Sequence, residues 1–294
     1  MTTQPSTDDP VAWCRSRLLV PGHPLAITLP YASPERADAL VALNAVIGEI
    51  AAVPGEVSDP DVARRKLGWW RQAVEEQLPH PVVKAWLQSG AAEHVSGEDF
   101  QPLIDAVASE IVPPRFEQVE ALDRHCRGLA GAGALLEARL INAGAPPGAA
   151  ESEALAGMAA AGYRIRIVRD LVLDARQDRW LVPLELQAEY QVTRQHVAAG
   201  EGGHRLAALV RHMAGDAVLA IDRHWRALAT DQAWRHRHFL LRTQLDRRIG
   251  RKLLTRPERI VRERVAPGRT GDAIATWRRA RALRKAAKTV RRSD

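Results

Sequence analysis

A chain of 294 residues with 46% hydrophobic and 26% charged side chains has the composition of an ordinary soluble globular protein. It holds no run of eighteen apolar residues, its first ten residues lack the basic and apolar regions of an export signal, and Cys14 and Cys126 have no metal-ligand spacing; membrane-spanning, secreted and zinc-binding classes are set aside and the cytosol is the expected compartment. The net charge of +7 is uneven, because residues 247–294 hold 17 of the 42 Lys and Arg but 4 of the 35 Asp and Glu, leaving residues 1–246 mildly acidic.

Residues 1–10 are polar and expected to be disordered. Val11 to Leu19 reads as a short helix stopped by Pro21-Gly22. Ser33-Pro34 starts a longer one, with a capping serine and a proline at the first helical position. It carries Leu40, Leu43, Val46 and Ile50 and is expected to end near Pro54-Gly55. Asp59-Pro60 opens a helix bearing Leu67, Trp69, Trp70 and Val74. Shorter helices follow over 81–89 and 100–111, then a long one from Phe116 to about Asn142. In that helix Gly131 and Gly133 mark either a close contact or a weak point. After Pro146-Pro147-Gly148 the spacing of Ile165, Val168, Val172 and Ala175 predicts another long helix. Residues 187–193 read as a loop, Gly200–Gly203 as a hinge, and 204–229 and 233–254 as one helix each. Strand-like alternation is absent, so the expected fold is an all-α, single-domain bundle with one core over 11–255, followed by a basic tail over 256–294.

Asp170 and Asp174 lie four apart and share one helix face, where two carboxylates repel each other by roughly a few tenths of a kcal/mol. Something cationic must relieve them. Mg²⁺ bridging to a diphosphate is one candidate, since Mg²⁺ binds through one or two carboxylates plus substrate phosphates. Arginine is the other, with Arg166 one turn earlier placed for an ordinary pair with Asp170.

The run Arg169-Asp170-Leu-Val-Leu-Asp174, followed by Arg179-Trp-Leu-Val-Pro183, resembles the second aspartate-rich motif of squalene/phytoene synthases. There an Arg-Asp-x-x-x-Asp helix precedes a Gly-Arg-x-Tyr-Leu-Pro turn. Residues 64–76, with Trp69 and Trp70, resemble the same family's tryptophan helix, and His80-Pro81 follows at the usual distance. The likeness covers roughly residues 12–255 and implies an isoprenoid-synthase fold. It also implies Mg²⁺ on Asp170 and Asp174, which would be the candidate catalytic residues, and a diphosphate on Arg166, Arg169 and Arg179. Tyr163, Trp69 and Trp70 would line the cavity.

The departures matter as much as the likeness. Asp178 replaces the turn glycine, and Arg166, Tyr163 and Leu173 replace the motif's asparagine, glutamine and frequent acidic residue. Ala42-Leu43-Asn44-Ala45-Val46 resembles the lead-in to the first aspartate motif, but Ala51-Ala52-Val53-Pro54-Gly55 stands where Asp-Asp-x-x-Asp is usual. Glu49 and Glu56 are near but off register. The pattern over 42–51 and 65–71 is similar to the divergent branch that contains mitochondrial complex I assembly factors and their bacterial relatives. This implies a protein that binds an isoprenoid, prenyl diphosphate or other lipid, or assists assembly of a partner complex, without normal coupling. The alternative is an active Mg²⁺-dependent farnesyl or geranylgeranyl diphosphate transferase.

His236 and His238 are alternate on a helix and point apart, which disfavours a metal site. In the tail, Ile274, Trp277, Ala280, Leu283, Ala287 and Val290 line one side, with arginine and lysine over much of the rest. A helix of this kind over 273–290 suits an anionic membrane surface, or else folds back on the body; nucleic acid ranks behind both.

Overall fold

The computed structural model describes residues 9–265 and 269–290, all of its regular structure helical. Residues 1–8, most of the stretch expected to be disordered, lie outside the described residues. The Asp9 carboxylate accepts the Ala12 amide at 2.9 Å and starts α1 (Pro10–Leu18). After α2 (Pro24–Thr28) comes α3 (Ala37–Glu56), one wall of the central cavity. This helix runs through Pro54 instead of ending there. The missing proline amide removes a single bond close to the helix end, and the buried Ile50 and Val53 hold that last turn against the core. Residues 34–56 are also long and apolar enough to cross a bilayer by composition, with mean hydropathy 1.5. Uninterrupted apolar runs miss this stretch, and its apolarity is spent on packing inside the protein, where half of it is buried.

Next come α4 (Pro60–Glu75), α5 (Pro81–Gln88) and α6 (Gln101–Ala108). The helix expected over 116–142 runs without interruption from Val119 to Ile141, a wide π turn at Arg127–Gly131 joining α7 (Val119–Cys126) to α8 (Ala132–Ile141). The glycine is a contact point: a Cβ on Gly131 would lie 3.1 Å from that of Ala156. Ala156 belongs to α9 (Ala149–Arg176), which packs against α7, α8, α12 (Gly203–Ala227) and α14 (Arg237–Thr255).

Residues 187–193 are not a loop throughout. α10 (Leu184–Tyr190) covers the first half because Leu186 is buried, and Gln191 at φ 51° ends it. α11 (Arg194–Ala198) leads to the glycine turn before α12, where Gly200 and Gly202 hold φ of 79° and 142°. The single helix expected over 233–254 is two, α13 (Thr230–Arg235) and α14, broken at His236 (φ −92°, ψ 20°). His236 is buried against Glu151 at 2.6 Å, and that contact fixes the break.

The apolar interior forms three clusters rather than the expected one. The first gathers α1 to α6, the second α9, α12 and the end of α14, and the third joins α8, α9 and α14. α15 (Arg269–Val290) folds back on the body. Arg248 donates to Asp272 at 2.6 Å, Arg279 covers the Trp225 ring at 4.4 Å, and Leu283 and Ala287 pack inward. Helical spacing therefore splits the apolar stripe read from sequence. Thr276, Leu283 and Ala287 face the body, while Ile274 and Trp277 remain outside at 46% and 48% exposure; the Val290 side chain is outside the described residues. Cys14 and Cys126 are buried free thiols, pushed by burial up to about 11 and about 12, which keeps them protonated and inert.

Candidate functional site

A cavity of about 890 Å³ lies among α2, α3, α6, α8, α9 and α14, within the size range of small-molecule sites. Leu25, Ile47, Leu103, Val107, Leu129 and Phe239 make one part of its lining apolar. Its polar part sets four arginines, Arg166, Arg169, Arg179 and Arg242, beside three carboxylates, Glu110, Glu137 and Asp246.

The α3 wall presents Asn44, Ile47, Ala51, Pro54 and Gly55, residues spaced three and four apart that share one face. No carboxylate belongs to that face. Glu56 is off the cavity, bonded to Lys66 at 2.6 Å, and Glu49 faces Arg17 at 4.0 Å.

The opposite wall is α9, which turns Ala159, Tyr163, Arg166 and Arg169 toward the cavity. Asp170 and Asp174, the expected metal ligands, sit on this helix beside the cavity rather than in its lining. Each is already held by arginine. Arg264 binds both oxygens of Asp170, with Nε–Oδ1 2.5 Å and Nη2–Oδ2 2.9 Å, and Arg169 binds them again at 3.0 and 2.5 Å. Burial alone would raise the Asp170 carboxyl, but the hydrogen bonds from Arg264 and Arg169 outweigh it and hold the group below its usual range. Asp174 accepts from Arg179 at 2.8 Å; here burial prevails and its carboxyl is pushed up.

The relief of the two aspartates thus comes from arginines, though not from Arg166. That side chain reaches Asp246 on α14 at 3.5 Å and lies over the Tyr163 ring. Arg164, on the adjacent face, points to Asp123 at 3.6 Å.

Arg179 is placed by the end of α9. Asp178 adopts φ 59°, the left-handed conformation that ends a helix, and the Arg179 amide returns to the Asp174 carbonyl at 2.9 Å. This geometry explains why glycine suits the position, and aspartate is among the few side chains that tolerate it. The turn aims the guanidinium at three partners: Asp174, the Glu110 carboxylate at 2.8 Å and the Tyr163 hydroxyl at 3.1 Å. His125 pairs with the other Glu110 oxygen, so that two partners satisfy this largely buried acid.

At the α8–α14 end, Glu137 is buried and accepts from His238 at 2.9 Å and from Arg242 at 2.6 Å, while Arg242 also reaches Asn44 at 3.2 Å. Burial would raise the Glu137 carboxyl, but the charge of Arg242 and the bond from His238 bring it down to about 2. His238 and His236 have separate glutamate partners, Glu137 and Glu151. Asp246, raised by burial, fits beside α9 because residue 162 is glycine; a Cβ there would lie 2.7 Å from its Oδ2.

Trp69 and Trp70 do not border this cavity. Trp70 is buried in the N-terminal cluster, Trp69 is on the surface, and both rings pack edgewise with His80. Adjacent residues on a helix diverge by about 100°, so one faces the core and the other does not.

Glu110, Glu137, Arg242 and Asp246 were not singled out from sequence. The signal for Glu137 was a lone acid within the apolar run Ala134-Leu135-Leu136-Glu137-Ala138, and for Arg242 its place four residues after His238.

The donor set does not fit a preassembled Mg²⁺ site. Both α9 aspartates are engaged by guanidinium groups, and the facing α3 surface offers alanine, proline and glycine. Among the described residues no three His, Cys, Asp or Glu side chains group as metal ligands. What the arrangement can do is bind an anion on fixed cations beside an apolar compartment.

Comparison with known proteins identifies the family and the fold. A sequence profile of the squalene/phytoene synthase family matches residues 21–270. No curated protein sequence matches the chain. Solved structures share the fold at low identity, three of them as follows. Squalene synthase HpnC from Alicyclobacillus acidocaldarius is 15% identical with a TM-score of 0.68, the match covering 85% of this chain and 94% of that one. A dehydrosqualene synthase in complex with ligand is 14% identical, with TM-score 0.67 and coverage of 97% and 98%. TcSQS in complex with E5700 is 14% identical, with TM-score 0.70 and coverage of 92% and 86%.

Proposed function

The chain belongs to the squalene/phytoene synthase family, and from that premise we propose that its cavity binds an isoprenoid diphosphate without carrying out normal head-to-head coupling. Members of this family act on isoprenoid diphosphates, generally with Mg²⁺. The prenyl chain lies along Ile47, Leu103, Val107, Leu129 and Phe239, and the diphosphate meets Arg166, Arg169 and Arg179. These are permanent cations suited to bidentate phosphate contacts. Arg264 alone can satisfy both oxygens of Asp170, so Arg169 is free to turn toward a ligand without stranding that carboxylate.

The observation that carries the reading is the asymmetry of the walls. One keeps an acidic pair engaged by arginines, and the other has no acid facing the cavity. Mg²⁺ gripped from both sides would stabilise the charge on a departing diphosphate by several kcal/mol. Losing even ~4 kcal/mol of this slows ionisation about a thousandfold. A non-catalytic role is consistent with the resemblance to the assembly-factor branch. The exposed Ile274 and Trp277 on α15, with exposed Arg278, Arg281 and Arg284 beside them, add an anionic membrane surface as the place where such a protein meets its lipid.

The test is incubation of the purified full chain with farnesyl or geranylgeranyl diphosphate, with and without Mg²⁺. Saturable binding weakened by Arg166→Ala, with no squalene- or phytoene-type product, is expected. Product that forms with Mg²⁺ and vanishes in Asp170→Ala overturns the reading in favour of an active transferase.

A further inference from the structure

A second cleft, of about 660 Å³, opens between the C-terminal half of α14 and the segment that follows it through residue 265. Arg248, Arg251, Lys252, Arg256, Arg259 and Arg264 line it, with Glu263 the one carboxylate among the lining residues. Residues 248, 251 and 252 are three and four apart, so three cations stand on one helix face where each like-charged pair is unfavourable. The 3₁₀ turn at Pro257–Val261 then brings Arg259 over the same space.

Some of this charge is answered within the protein. Arg248 donates to Asp272 at 2.6 Å and to the Gly271 carbonyl at 3.3 Å, Arg259 pairs with Glu263 at 2.7 Å, and Arg264 grips Asp170. The guanidinium groups of Arg251 and Arg256 make no hydrogen bond or ion pair with the described residues, and both are exposed. Aligned cations around a bounded concavity match the geometry and charge of a phosphate-bearing group. A duplex nucleic acid would instead call for an extended basic track along which many phosphates could be neutralised.

We propose that this cleft is a phosphate-binding site, separate from the central cavity, for a diphosphate or the phosphate headgroup of a lipid, with Arg251 and Arg256 as its principal contacts. The site does not depend on the reading of the central cavity. It adjoins that cavity through Arg264, whose partner Asp170 is shared with the cavity-lining Arg169. Its anchoring helix α15 begins beside it, through Asp272, and carries the exposed Ile274 and Trp277 on the following turns.

The experiment compares the full wild-type chain with the double variant Arg251→Ala/Arg256→Ala and with Arg166→Ala. Each is titrated with inorganic diphosphate by calorimetry, and each is tested by flotation with phosphatidylglycerol vesicles. Neither arginine of the double variant has a partner to strand, so its unfolding midpoint stays at the wild-type value. The proposal expects the double variant to lose at least about tenfold in affinity, two charge-assisted contacts being removed, and the wild-type affinity to fall as salt is raised. Loss in the calorimeter identifies a free phosphorylated ligand, and loss confined to the vesicles identifies a lipid headgroup. Binding that survives in Arg166→Ala but disappears in the double variant supports the cleft whatever happens in the central cavity. A double variant that matches wild type in both assays overturns the proposal.

Discussion

Replacing Glu137 by glutamine tests whether the buried acid at the α8–α14 end organises the cavity. The substitution keeps the side chain's size and removes its charge, leaving Arg242 with Asn44 and His238 without an ionised partner. The carboxyl sits at about 2 against an ordinary 4.5. At 1.36 kcal/mol per unit, this depression corresponds to about 3 kcal/mol of stability. Breaking a buried ion pair independently costs about 3–5 kcal/mol. Because the folded-state value is depressed, the contribution is fully present above the unfolded value near 4.5 and is lost as pH falls from there toward 2. Urea unfolding of wild type and Glu137→Gln should therefore differ by about 3 kcal/mol at pH 7. The gap should hold down to about pH 5 and then narrow steadily. A gap below about 1 kcal/mol at pH 7, the size of an ordinary neutral hydrogen bond, refutes the assignment. So does a gap that stays constant between pH 5 and pH 3.

Other substitutions probe the walls and the turn. Ala51→Asp/Gly55→Asp puts two carboxylates one turn apart on the cavity face of α3, where Gly55 has open space for a side chain. Diphosphate affinity in this variant should become Mg²⁺-dependent by roughly tenfold, a metal bridge being worth at least one charge-assisted contact, and titrations without a Mg²⁺ effect would undo the wall argument. Asp178→Val forces a β-branched residue into the left-handed conformation and should cost about 1–2 kcal/mol in thermal or urea unfolding, whereas Asp178→Gly should be neutral or mildly stabilising. Equal stability of the two would mean that this turn is not under strain. Ile274→Ser/Trp277→Ser should reduce flotation with anionic vesicles severalfold with little change in the melting temperature, since both side chains are half exposed and outside the core. Unchanged flotation would remove α15 as the membrane contact.

The sequence by itself determined whatever depends on local spacing. Apolar periodicity and capping gave an all-α chain and most of its helices. Asp170 and Asp174 were placed on one face of α9, and the turn ending that helix was visible in the offset of Arg179 and Pro183. The absence of acids over 51–55 was legible as well, because a one-dimensional pattern suffices to show a missing side chain. Tertiary structure decided the partners. Arg264 reaches Asp170 across 94 residues and Arg242 reaches Glu137 across 105. No local pattern distinguishes those arginines from solvated ones, so Arg166 looked the nearer neutraliser of Asp170 until packing set it against Asp246. The break at His236 and the split of the α15 stripe have the same origin. A residue's own sequence neighbourhood sets its helix face, but what stands opposite that face is fixed by distant segments, and the energy of burying a charge is decided there.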